Sequence, residues 1–487
     1  MSNPDVVVVG SGPNGLAAAV LLSRAGLRVA VHEAASGFGG GARSGEPLGT
    51  GVRHDHCSTV HPMAAASPFF RAFDLAARGV TMLRPEVAYA HPLDDGRAGL
   101  AWTDLDRTAE GLGLEGRRWR RVFAPLVARW PEVAAVALSD LRDPAALIAP
   151  AAVLLGAGVL EQRLLPRGGT AGAMLTGVNL HGVVRPDGLP ATAVGMTLGL
   201  LAHAVGWPLP RGGSQAITDA MVADIRAHGG SLTAGSPVHD IRDLPHARAV
   251  VLNTGPAVLA RIAGPVLPRH YLRRLTGYRY GSGSCTVNFL LSGSVPWAAP
   301  GCDRAGTLHL VGTRAEAIAV QRTVASGRHA ARPYVLVTQP SAVGDVRAPH
   351  GLQTLSAYAH VPRGSNVDVS DAVIGQIERF APGFRDMVVA RHVRTADQLE
   401  IHNANHVGGD ITSGRLSLHQ LAFRPRFGVD PFTTPVPGLY HCSAASPPGP
   451  GVHGMAGLHV ARRVLRDRFG IATDPLTLLT APEGQPA

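Results

Sequence analysis

Four consecutive valines, Val6 to Val9, run directly into Gly10-Ser11-Gly12-Pro13-Asn14-Gly15. A β-branched run without alternation suits a parallel strand buried on both faces. The Gly-x-Gly-x-x-Gly turn then opens a helix-forming segment, Leu16 to Ala25, with Gly26 placed as its C-cap. A second strand is expected over Arg28 to His32 and ends on Glu33, 23 positions after Gly10. Each residue type has its own task. Gly10 allows the tight turn, Gly12 lets backbone approach a pyrophosphate, and Gly15 lets helix and strand pack closely. The helix start, at Pro13 and Asn14, offers free N–H groups and a positive dipole to phosphate. An acid at the position of Glu33 accepts ribose hydroxyls and repels a 2′-phosphate, so the pattern points to a dinucleotide other than NADP.

The rest of the chain bounds what this unit belongs to. At 487 residues it is long enough for about two or three domains. All 45 basic residues are arginines, so no lysine Schiff base or P-loop lysine is available. The net charge of +10 reads as a shortage of acids, not as a nucleic-acid surface. Its densest run, Arg117, Arg118, Arg120 and Arg121 around Trp119, reads as the exposed start of an amphipathic helix. No nucleic-acid partner is expected. Cys57, Cys285, Cys302 and Cys442 are far apart, which argues against a redox dithiol or a zinc knuckle and fits a reduced, cytoplasmic setting. The N-terminus runs straight into strand with no signal-peptide pattern. Two uncharged stretches, Pro144 to Leu160 and Gly188 to Pro210, are broken by prolines and read as buried or interfacial helices. Peripheral membrane contact stays open, as does the oligomeric state.

A second glycine cluster, Gly37-Phe38-Gly39-Gly40-Gly41-Ala42-Arg43, follows Glu33 and suits further contact with a long diphosphate cofactor. Near the C-terminus, a strand over Gly438 to Cys442 leads into the loop Ser443 to His453, which contains Pro447-Pro448-Gly449-Pro450-Gly451. A helix is expected from Gly454 towards Leu465. Between them, Pro210 to Ser214 precedes a helix over Gln215 to Ala227, then strands over Ser231 to Val238 and from Ala249. Together these segments resemble the phytoene dehydrogenase-like branch of the flavin amine oxidase and carotenoid desaturase superfamily, including the pyridine nucleotide-disulphide oxidoreductase domain-containing protein 2 group. Ser443 departs from the glycine usual there.

The resemblance implies an α/β fold, with a Rossmann-type FAD-binding domain interleaved with a mixed-sheet plus helical substrate domain. The FAD domain would take 1–75, 205–262 and 395–487. The substrate domain would take 76–204, mainly helical, and 263–394, with strands near Cys285–Leu291, Thr307–Val311, Tyr334–Thr338 and Thr354–Ala359. FAD would be held by Gly10, Gly12, Pro13, Asn14, Gly15, Glu33, Gly40, Gly41, Arg43, a backbone group at Val238, Gly449, Gly451, Val452, Gly454 and Met455. Residues 474–487 read as a loose tail.

The implied chemistry is hydride removal from a largely apolar small molecule, by a desaturase or dehydrogenase that passes electrons to oxygen, a quinone or another acceptor. A flavin carries that chemistry itself, so no protein nucleophile is required. A flavin-dependent isomerase and a non-catalytic binding protein on the same fold are the alternatives. No catalytic residue is fixed. His453, just before the last helix, and His54 and His56 in the cluster His54-Asp55-His56-Cys57 with His61, are the candidates. The pair also reads as ordinary core or surface histidines, or as a metal pair on one side of a strand; no metal site is assigned. His402, Asn403, Asn405 and His406 are read the same way, on a stretch, Leu399 to Phe423, that crosses back towards the cofactor.

Overall fold

The computed structural model describes residues 3–140, 168–349, 351–417, 419–420 and 430–480. The Pro144–Leu160 stretch and residues 481–487 lie outside them.

The valine run forms the strand Val6–Val9, buried along its length. It lies between Ala249–Leu252 and Val29–His32, and all three are parallel. The full order is Leu439–His441, Ala249–Leu252, Val6–Val9, Val29–His32, Ser231–Thr233. Alternate valines point to opposite faces, as strand geometry requires. Val6 and Val8 join a core built with the helices Pro13–Arg24, Gln215–Ala227 and Met455–Val464. Val7 and Val9 join one built with Pro256–Ala263 and Arg269–Thr276. An all-parallel sheet covered on both faces is what a continuous apolar strand demands.

The helix after the glycine turn starts earlier than the sequence suggests. Pro13 takes its first position, Ala25 caps it, and Gly26 follows at φ 78°. The strand expected over Ser231–Val238 stops at Thr233. Gly235 turns there at φ 63°, and its N–H donates to the Ala35 carbonyl, so the chain bends towards the end of the sheet.

A second sheet of seven strands runs in the order Val388–Arg394, Gly283–Leu291, Gln353–Val361, Val335–Thr338, Ala305–Leu310, Val87–Pro92, Ala98–Trp102. Its last two strands add a hairpin to the mainly helical 76–204. They turn around Asp94–Gly96, and Val87–Pro92 is buried throughout. One face of this sheet is apolar: Val287, Phe289, Val337, Leu355 and Ala357 pack against the helix Ser370–Glu378. The other face carries Asn288, Ser356, Tyr358, His360, Thr307 and His309 at alternate positions. The helices Gly116–Ala128, Thr170–Asn179 and Leu189–Ala204 close over its far end.

Trp119 is fully buried while Arg117, Arg118, Arg120 and Arg121 are exposed, so the basic run is one solvated helix face. Among the described residues no helix is long and apolar enough to cross a membrane. The described part of the expected tail is not loose: Arg24 donates to the Leu478 carbonyl at 3.1 Å, and Leu479 is buried.

Candidate functional site

The C-terminal ends of the parallel strands open into a cleft of about 440 Å³, within the usual range for small-molecule sites, about 300–1,000 Å³. Its floor is the glycine turn. Gly10 sits at φ 96°, and a Cβ there would lie 2.7 Å from the Asn253 carbonyl. Gly15 is closed against the Gly10 carbonyl, where a Cβ would come within 2.2 Å, so its part is packing and it does not line the cleft. Gly12, Pro13 and Asn14 do line it. They bring the start of the helix, which no side chain caps, to the cleft. The Asn14 Oδ1 is buried there without a partner among the described residues.

Glu33 is fixed at the lip. Its Oε2 accepts from the Ser11 N–H at 2.8 Å and the Ser11 hydroxyl at 2.6 Å, while Oε1 accepts from the Ala35 N–H at 2.9 Å. Gly40, at φ 56°, faces the turn so closely that a Cβ would lie 2.8 Å from the Gly12 Cα. Gly41 lines the cleft next to Cys57. Arg43 donates from Nε to the Gly40 carbonyl at 3.0 Å, and its Nη2 lies 3.1 Å from the His402 Nε2. Burial lowers the Arg43 pKa, with Glu33 acting in the opposite sense. Val238 lines the opposite wall with Ser236 and Pro237, and its backbone makes no hydrogen bond among the described residues.

Gly451 and Val452 close the far side. Gly449, Gly454 and Met455 lie behind them and do not line the cleft. A Cβ on Gly454 would meet Phe69 at 2.5 Å, so this glycine serves packing. His453 is fully buried between these residues. Its Nε2 donates to the Gly449 carbonyl at 3.0 Å, and its Nδ1 accepts from the Met455 N–H at 3.0 Å. Both ring nitrogens are therefore engaged in the neutral Nε2–H form, and burial lowers the pKa to about 4. His453 braces the loop, and it leaves no nitrogen for a reacting group.

His54 and His56 also stand outside the cleft. The His54 Nδ1 meets the Ser356 hydroxyl at 3.2 Å, whereas the His56 Nδ1 meets Arg394 at 3.2 Å and its ring lies 4.8 Å from that of His402. Burial, then the neighbouring Arg394, takes His56 down to about 3. Among the described residues no group of three metal-ligating side chains gathers anywhere. Between the two histidines, Asp55 is locked: it accepts from Ser44, from the Ser214 N–H and from Arg347, which also pairs with Asp345.

Residues 401–406 line the cleft, as a segment returning to the cofactor would. Ser11, Asn253, Arg261 and Cys57 were not expected as site residues from the sequence, although all but Ser11 line the cleft. Asn253 had a signal: it directly follows the strand beside Val6–Val9, where a polar side chain meets the glycine turn.

The whole assembly fits a dinucleotide. Two glycines leave space against each other, an uncapped helix start and Arg43 suit diphosphate, and a fixed carboxylate suits a ribose.

Known proteins agree with this geometry. A family profile described as an NAD(P)-binding Rossmann-like domain matches residues 8–75. Pyridine nucleotide-disulfide oxidoreductase domain-containing protein 2 of Rattus norvegicus is 26% identical, over 95% of this chain and 93% of its own length. One of the limonene dehydrogenase polypeptides of Castellaniella defragrans is 34% identical over 24% of this chain and 22% of its own. Among solved structures, a cofactor-binding redesign of putrescine oxidase superposes with a TM-score of 0.62 at 16% identity, covering 96% of this chain and 99% of the other. The chain resembles the domain-containing protein 2 group along nearly its whole length, and it shares its fold with the putrescine oxidase structure.

Proposed function

We propose that this chain is an FAD-dependent dehydrogenase that removes a hydride from a largely apolar small molecule and passes the electrons to oxygen, a quinone or another acceptor. One observation carries the reading: a single cleft is lined by the N-terminal helix start, by Glu33, by Gly40 to Arg43, by Val238 and by the C-terminal Gly451–Val452. That span suits a dinucleotide longer than its adenosine half. When bound, FAD supplies a two-electron acceptor for the substrate hydride.

The protein's own residues would do the rest. The start of the helix Pro13–Arg24 and Arg43 would bind the diphosphate, the Glu33 carboxylate would accept the ribose hydroxyls, and the Val238 backbone would meet the adenine edge. Gly40 keeps the diphosphate track open by having no Cβ. His453 holds the Gly449–Met455 loop in one shape. The apolar substrate reading is supported by the name of the limonene dehydrogenase relative.

Anaerobic mixing of the flavin-loaded protein with polyenes, fatty acyl compounds and amines tests this. Bleaching of the flavin by a polyene or acyl compound is the expected result. Bleaching by amines alone would refute the substrate class.

A further inference from the structure

Beyond Cys57, at the edge of the dinucleotide cleft, the polar face of the seven-stranded sheet forms a second feature. Tyr358 lies close enough to feel the Cys57 thiol. From there the side chains follow one another. The Tyr358 and His360 rings are 5.9 Å apart, His360 and Tyr334 4.7 Å, and Tyr334 and His309 6.3 Å. The His309 Nε2 meets the His181 Nε2 at 2.8 Å, and the His181 ring lies 5.5 Å from Trp207. Tyr358 and His181 lie deep in the protein yet keep accessible surface, so they border internal space, while Cys57 faces the cleft.

Two features define what this space takes. The first is charge. Among the described residues, the groups that act electrostatically on His181, His309, His360, Tyr334 and Tyr358 are one another, His91 and Cys57, with no carboxylate or guanidinium. Burial holds the imidazoles neutral, with His181 down to about 4 and His360 to about 3. A cation would lose its hydration here and gain no counter-charge.

The second feature is an unused donor. The His360 Nδ1 pairs with Gln321, and the His360 Nε2 is buried with no accessible surface, so it faces no ligand. In the His181–His309 pair one Nε2 donates to the other. The His309 Nδ1 is also buried and unpartnered. A bare lone pair there costs less than an orphaned N–H, so His309 donates and the His181 proton is on Nδ1. Among the described residues that Nδ1 makes no hydrogen bond, and His181 keeps accessible surface.

We infer that this chamber is the substrate site and takes an uncharged, unsaturated or aromatic molecule with a carbonyl oxygen, which the His181 Nδ1–H holds. The inference rests on the FAD reading for its link to chemistry, but its test does not. Trp207, beside His181, gives a readout that needs no flavin.

The experiment titrates 1-tetralone, tetralin and 1-aminotetralin into the protein and into the Trp207→Phe variant, following tryptophan fluorescence and flavin absorbance together. The ketone is expected to bind tightest and to quench Trp207. His181→Leu should weaken the ketone by about three- to tenfold, the worth of one hydrogen bond, and leave tetralin within about twofold. His181→Asn, which restores an N–H, should recover part of the loss. Equal binding of tetralone and tetralin, tightest binding of the amine at neutral pH, or an unaltered ketone affinity in His181→Leu would each overturn the inference. The wild-type ranking decides it even if a variant does not fold. Quenching of Trp207 by the ketone in a protein that takes up no flavin would uphold the chamber and sink the FAD reading.

Discussion

The Asn253 Nδ2 donates to the carbonyl oxygens of both Gly10 and Gly12, at 3.2 and 3.3 Å, and so ties one strand's end to the turn that faces the neighbouring helix start. The same side chain limits what can stand at Gly12, where a Cβ would lie 3.0 Å from it. Asn253→Ala should loosen the turn without unfolding the sheet. Two ordinary hydrogen bonds of about 0.5–1.5 kcal/mol each are at stake, so FAD affinity should fall by about tenfold. Titration of the apoprotein with FAD measures it, and an unchanged affinity would remove Asn253 from the site.

Gly40→Ala should be more severe for binding than for folding. Its positive φ adds strain of about 1 kcal/mol or more, and the new methyl would press on the Gly12 Cα. The variant is expected to purify with a cooperative unfolding transition only a few degrees lower, and with little bound flavin. The flavin-to-protein ratio beside the melting curve is the check.

Asp55 and Arg347 pair at 2.6 Å with both side chains almost fully buried. Burial alone would raise the Asp55 carboxyl, but Arg347, the Ser44 hydroxyl and the Ser214 N–H outweigh it and hold its pKa below the ordinary 3.8. Removing Arg347 strands both Asp55 and Asp345, at a cost of about 3–5 kcal/mol or more, whereas Asp55→Asn leaves Arg347 paired with Asp345. Arg347→Met should destabilise strongly and Asp55→Asn less, with the double variant losing less than their sum. Additive losses in denaturant unfolding would show that the pair is not coupled.

Acid should weaken the fold well before the carboxylates titrate. Burial lowers His61, His91, His203, His441, His453 and His459 from 6.5 to about 4 each. The unfolded chain then binds more protons than the folded one between those values. The stability these residues contribute is whole above pH 6.5 and is lost as pH falls towards 4. Melting temperature should decline steadily from pH 7 to pH 5. A flat profile over that range would contradict the buried neutral state of these rings.

Much of the cofactor side was legible because its signals are local. The Val6–Val9 strand, the Gln215–Ala227 helix and the glycine clusters are each contained in a few residues, and the structure places them in one sheet end. The hairpin Val87–Trp102 was missed because Val87-Ala88-Tyr89-Ala90 is buried on both faces, which leaves no period-two pattern to separate it from helix. The engagement of both His453 ring nitrogens was not legible, because proximity to the cofactor loop says nothing about which nitrogens the loop itself consumes. His181 and His309 meet across 128 positions of sequence, and only the tertiary fold brings them together.

The occupant of the cleft is the point on which the rest depends. The native protein, purified without added cofactor and then heat-denatured, should release FAD, identified by chromatography at close to one per chain. Apoprotein should take FAD up again in preference to NAD. A colourless protein that ignores FAD and binds NAD in the same cleft would contradict it.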